Sequence, residues 1–163
     1  MPEIDRWDLP DLEFLSNFSG HPITINDIVF KTVEHFFQWC KTVIPEEQRR
    51  IIEAATPAQA KRLGQSPKRG GIATLIPDWG KRKDNFMLIG VLNKYVQHPE
   101  LLDRLVATYP HPLIEGNFWH DNYWGDCIFN RDWSKPCPRC VNKEGLNKLG
   151  KIHMMVRRNA IKR

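Results

Sequence analysis

The run Thr32-Val33-Glu34-His35-Phe36-Phe37-Gln38-Trp39-Cys40-Lys41 constrains this chain most. Thr32 is a strong helix N-cap, and Glu34 falls in the first turn, where a negative charge suits the helix dipole. Wound as an α-helix, the run puts Glu34, Gln38 and Lys41 on one stripe. Val33, Phe36, Phe37, Trp39 and Cys40 cover most of the rest. A surface helix carries a narrow apolar stripe on a polar body, and here the pattern is inverted. It predicts a buried helix whose polar seam faces internal partners or a pocket. Buried charges are rare unless paired or functional. Two readings therefore stand: an internal Glu34–Lys41 bridge, or a carboxylate, an amide and an amine turned toward a polar ligand.

The 163 residues are expected to form one domain, residues 1–163 with a core of about 14–157, long enough to bury a real core. Aromatics stand out, with six Trp and eight Phe, enough for flat ring-binding surfaces as well as core. The net charge of +5 suits phosphate-bearing partners, although from charge alone a solvated basic surface is the reading to prefer. No zinc-finger spacing of the CxxC…HxxxH kind is present. No signal peptide and no apolar run of transmembrane length is visible, so a cytoplasmic protein (nuclear if eukaryotic) without membrane attachment is expected. In such a compartment cysteines serve as thiols or metal ligands rather than disulfides.

Read in order, Pro22–Ile25 and Ile28–Phe30 around Asn26-Asp27 predict a β-hairpin. Pro45-Glu46-Glu47 starts a helix to about Ala55. Thr56, Pro57 and Gly64 punctuate a short helix by cap, first position and stop. Ser66–Gly71 reads as a basic glycine-containing loop, without the Walker spacing. Asp78-Trp79 opens a long helix to about His98, and Pro99 starts another to about Thr108. Leu113-Ile114-Glu115 is a strand candidate. The aromatic, glycine-bounded stretch Gly116–Gly125 has the composition of a functional loop. Gly145–Gly150 leads into a terminal amphipathic helix.

Several motifs in one order make the chain resemble the NADAR family, including its YbiA-like N-glycosidases. They are Phe14-Leu15-Ser16-Asn17-Phe18, Thr32–Gln38 with Lys41, Thr56-Pro57…Ala60-Lys61…Gly64, and Trp79 with Lys83 and Met87. Leu113-Ile114-Glu115, Asp121-Asn122-Tyr123-Trp124-Gly125, Gly145–Gly150 and Met155…Arg157 follow. The resemblance implies an α+β, predominantly helical domain with a small hairpin sheet. It also implies hydrolysis of the bond between ribose C1 and an exocyclic amine. Its substrate classes are ADP-ribose on guanine in nucleic acid, which an ADP-ribosyltransferase supplies, and phosphorylated ribosylamine intermediates of riboflavin synthesis. A non-catalytic ADP-ribose-binding module is the rival from another class. Ser19 in place of a tyrosine, Trp39 in place of a small residue and a long cysteine-bearing segment before Gly145 depart from the family pattern and bear on substrate preference.

On these motifs Glu34 and Asp121 are the candidate carboxylates, one for proton transfer and one to stabilise the cationic sugar. Lys41 offers another route, a Schiff base with the opened ribose. That route needs a partly neutral amine, which burial favours and Glu34 opposes. Trp79 and Trp124 are candidates to stack a base, with a core role as the alternative. Asn17, Gln38, Gly125 and Asn147 are candidate sugar or base contacts, with turn stabilisation as the alternative for the asparagines. Lys61, Lys83 and the basic loop Ser66–Gly71 are candidate phosphate ligands, with a solvated surface as the alternative, and His35 is expected to be structural. The CxxC of Cys137 and Cys140, with Cys127 upstream, supplies three ligands of a structural zinc site, and His120 or His153 could complete it. Plain thiols are the alternative, and no cofactor is needed for the glycosidic chemistry.

Overall fold

The computed structural model describes residues 2–7, 10–127, 139–140 and 145–162. It resolves into two compact units, residues 17–99 and residues 1–16 with 100–163.

In residues 17–99, β1 (Ile23–Ile25) and β2 (Ile28–Phe30) form the expected antiparallel hairpin, with Ile23 opposite Phe30. Asn26 and Asp27 both have positive φ, 49° and 62°, which matches a two-residue turn to the strand twist. Helix α1 (Val33–Trp39) follows, with Thr32 Oγ1 accepting from the His35 N–H at 3.3 Å. The His35 ring is fully buried between Thr32 Oγ1 and the Ala54 carbonyl, the structural role expected of it. Helices α2 (Pro45–Glu53) and α3 (Pro57–Leu63) each begin with proline, and Thr56 caps α3 through the Gln59 N–H at 3.1 Å. Ile51, Ala54, Ala60 and Leu63 bury one another beneath Trp39 and Ile72. Helix α4 (Trp79–Gln97) runs along α1. Its Gln97 side chain bonds the N–H and C=O of Thr24 at 2.8 and 2.9 Å, covering part of the hairpin's open edge. Three helices thus enclose α1, as the inverted polarity of that segment requires.

In the other unit lie α5 (Pro99–Ala107, all but Pro99), β3 (Gly116–Asn117), β4 (Asp126–Cys127) and α6 (Lys148–Ile161). The strand expected at Leu113–Glu115 is reduced to a single bridge between Ile4 and Leu113. Asn147 is the reason: its amide donates to the Leu113 carbonyl at 2.9 Å and accepts from the Glu115 N–H at 3.1 Å, occupying groups a strand neighbour would use. Pairing shifts downstream, where β3 and β4 run parallel with Asn117 opposite Cys127. Helix α6 starts ahead of Gly150 rather than after it. The carbonyls of Tyr123 and Trp124 accept from Lys148 and Leu149, satisfying N–H groups that a helix start leaves over. Arg157 on α6 is buried and donates to Thr108 Oγ1 and the His111 carbonyl. Among the described residues no helix is long and apolar enough to cross a membrane.

Candidate active site

The polar seam of α1 is buried, with Glu34 5% and Gln38 2% exposed. Gln38 Nε2 donates to Glu34 Oε1 at 2.6 Å, a charge-assisted bond. Lys41 lies two residues beyond the end of α1. Its Nζ donates to the Gly64 carbonyl at 3.2 Å and lies 5.7 Å from the Phe37 ring centre and 5.8 Å from that of Trp79. The seam is thus a hydrogen-bonded Gln38–Glu34 pair followed by an amine against aromatic faces.

The opposing influences on Lys41 now have an outcome. Burial outweighs the attraction of Glu34 and, with repulsion from Lys61, Arg69 and Lys83, holds the ammonium down to about 8 from its ordinary 10.5. A neutral lysine is a nucleophile and a protonated one is not. The same three cations bring positive charge close enough to Lys41 to lower its pKa, and Lys61 also sits 5.6 Å over the Phe18 ring. Arg69 belongs to the basic loop expected as a phosphate candidate, and its charge reaches Lys41.

Trp79 makes a tilted contact with Phe37, centroids 5.2 Å apart, and stacks on Phe86 at 5.9 Å and 16°. Asn17 is buried. Its amide reaches Met87 Sδ at 3.1 Å and its backbone carbonyl accepts from the Glu34 N–H. Among the described residues, the buried acceptors Asn17 Oδ1 and Gln38 Oε1 have no hydrogen-bond partner. Such atoms cost free energy unless a donor arrives.

Gly64 carries more than a helix stop. Its φ is −72°, which any residue adopts, but an added Cβ would lie 2.0 Å from Gln38 Oε1. Only glycine lets the end of α3 close on the seam and offer its carbonyl to Lys41.

The candidates in residues 100–163 are held by backbone. Asp121 Oδ1 accepts from the N–H groups of Tyr123 and Trp124, both at 3.0 Å, and so organises a turn. Trp124 is half-buried and meets Tyr123 edge-on at 5.1 Å. Gly125 lets the chain pass the Glu115 carbonyl, which an added Cβ would approach to 2.0 Å. Asn147 uses both ends of its amide on backbone, which is the turn-stabilising alternative. Of the expected zinc ligands, Cys127 and Cys140 lie beside His120. His153 packs instead against Trp7 at 5.2 Å, and Cys137 lies outside the described residues.

The architecture is that of a mostly helical α+β protein, with a buried helix in residues 17–99 followed closely by a lysine. The chain belongs to the NADAR domain family, whose model matches residues 7–160. It is 37% identical over 145 residues to the N-glycosidase Npun_R5314 of Nostoc punctiforme, across 87% of this chain and 81% of that protein. It is 30% identical over 162 residues to the riboflavin biosynthesis protein PYRR of Zea mays chloroplasts, across 93% of this chain and 23% of that protein. The NMR structure of Escherichia coli YbiA matches with a TM-score of 0.73 at 30% identity, across 93% of this chain and 80% of that one. That relative is named an N-glycosidase.

Proposed function

We propose that this protein is an N-glycosidase that hydrolyses the bond between ribose C1 and an exocyclic amine, removing ADP-ribose from guanine bases in nucleic acid. Npun_R5314 and YbiA are both named N-glycosidases. The observation that carries the chemistry is Lys41, kept partly neutral by burial at the end of a seam with a buried carboxylate.

In the proposed reaction the ribosylamine ring opens to an imine at C1. Neutral Lys41 Nζ adds to that carbon, and a proton passes to the guanine amine as its bond to C1 breaks. The resulting lysine imine takes up water, and Nζ leaves as the amine with the proton that water gave. The net change is addition of one water across the C1–N bond. Glu34, beside Gln38, serves as the proton carrier. Asn17 Oδ1 and Gln38 Oε1 accept from sugar hydroxyls or the base edge. Trp79, with Phe37, gives the base a flat surface, and Lys61, Arg69 and Lys83 take the diphosphate. A guanine-modifying ADP-ribosyltransferase would supply the substrate.

Three cations around an aromatic-lined lysine suit a substrate with a diphosphate beside a flat base. The name of the Zea mays relative favours a second reading, a phosphorylated ribosylamine of riboflavin synthesis. The test sets an oligonucleotide carrying ADP-ribose on guanine beside a ribosylamino-pyrimidine phosphate and follows sugar release by mass spectrometry. Release from the oligonucleotide, lost in Lys41→Met, supports the proposal. Release from the small molecule alone overturns the substrate and keeps the bond class. Binding without turnover, unchanged in Glu34→Gln, makes the protein a binding module.

A further inference from the structure

A second constellation lies within residues 100–163. His120 Nδ1 stands 3.5 Å from Cys127 Sγ and 3.5 Å from Cys140 Sγ. All three ligand atoms fall within 4.8 Å of one another. Cys127 and Cys140 are 0% and 1% exposed and pack on each other. We infer that His120, Cys127 and Cys140 bind a structural Zn²⁺ ion.

The distances carry the inference. With Zn–S of about 2.3 Å, Zn–N of about 2.0–2.1 Å and tetrahedral angles, a ligating nitrogen and sulfur are separated by about 3.6 Å. Both nitrogen–sulfur spans observed here agree with that value. Hydrogen bonding accounts for them poorly. One imidazole nitrogen has either one proton or one lone pair, so it serves one sulfur well and not two. A cation placed between the three atoms serves all of them. Two thiolates also neutralise a divalent ion, so the buried site carries no net charge. Two thiolates and an imidazole suit Zn²⁺ better than oxygen-seeking Mg²⁺ or Ca²⁺.

The scaffold is set to hold these ligands. Cys127 is in β4, opposite Asn117 of β3, and its N–H donates to Asn122 Oδ1 at 3.0 Å. His120 sits in the connecting turn with φ of 67°, a conformation uncommon for a residue with a side chain. Asn117 locks that turn by donating to the Asp121 carbonyl at 2.7 Å and accepting from the Asp121 N–H at 2.9 Å. The fourth coordination position belongs to a donor beyond these three. The ion would tie Cys140 to the turn that carries Asp121 and Trp124, and so stiffen it.

The test uses the full chain purified without chelator. Elemental mass spectrometry should find about one zinc per chain. Removal by a strong chelator should lower Tm by several degrees, and Zn²⁺ should restore it. Replacement by Co²⁺ should give the intense visible bands of a tetrahedral site and a thiolate-to-cobalt charge-transfer band. That band should weaken in Cys140→Ser, while His120→Ala should lower metal affinity at least tenfold. The cobalt spectrum is read on the unmutated protein, so a poorly folding variant does not decide the matter. Metal-free protein that takes up neither ion, or a native Cys127–Cys140 disulfide found by intact mass, would overturn the inference.

Discussion

Removing the charge of Glu34 should lower the pKa of Lys41 further. Burial dominates at Lys41, and Glu34 is the one named influence that raises it. Glu34→Gln keeps the shape of the side chain and its contact with Gln38 but deletes the carboxylate charge. At a helical rise of about 1.5 Å per residue the seven positions from Glu34 to Lys41 span about 10 Å, the last two lying beyond α1. At that separation and an effective dielectric of about 20, two unit charges interact by about 1.7 kcal/mol, or about one pKa unit. A pKa of about 8 leaves about a quarter of the amine neutral near pH 7.5, against about one part in a thousand at the ordinary value of 10.5. The variant should therefore move the titration midpoint down by about one unit while slowing turnover, because its proton carrier is gone. The assay is NMR titration of ¹³C-dimethylated lysines, with the Lys41 signal assigned by its loss in Lys41→Met. A wild-type midpoint near 10.5, or an upward shift in Glu34→Gln, would refute the account of this lysine.

Further expectations concern packing, pH and salt. Gly64→Ala should cost about 1–3 kcal/mol in urea unfolding and reduce turnover, because its Cβ displaces Gln38 from Glu34; wild-type stability would contradict this. Stability should rise between about pH 7 and 9. Burial holds fully buried Lys94 down to about 7 and Lys41 to about 8, so the unfolded chain binds more protons there, by up to about 1.4 kcal/mol per pH unit per lysine. Above about pH 9 the Cys40 thiol, pushed up to about 12 by burial, takes back part of the gain, since the unfolded thiol ionises first. Urea unfolding at successive pH values checks both limbs, and a fall from pH 7 to 9 would count against them. Lys83→Ala and Arg69→Ala should each reduce the salt slope of oligonucleotide affinity by roughly 0.7–0.9, as read by fluorescence anisotropy. Unchanged slopes would place the phosphates elsewhere.

Much of this was legible in local sequence because the signals are local. Asn26-Asp27 suits its turn, Thr32 and Thr56 cap their helices, and Pro57 and Pro99 start theirs. The Glu34–Gln38 pair was legible because helical period fixes it, whereas α1 ends at Trp39, before Lys41. The balance of forces on Lys41 was not, since it depends on how deeply Phe37, Trp79 and the end of α3 bury the amine. Gly64 looked like punctuation, and only its 2.0 Å approach to Gln38 shows why a side chain is excluded. The strand expected at Leu113 was lost to a side chain from thirty-four positions away, Asn147, which no periodicity reveals. The meeting of His120 with Cys140 is equally non-local, so spacing could offer His120 and His153 but not choose between them.

The most direct measurement is borohydride trapping during turnover of an oligonucleotide carrying ADP-ribose on guanine. The account predicts a covalent ADP-ribose adduct, mapped by peptide mass spectrometry to Lys41 and absent in Lys41→Met. Full release of the sugar with no adduct at Lys41, and undiminished turnover in Lys41→Met, would contradict it.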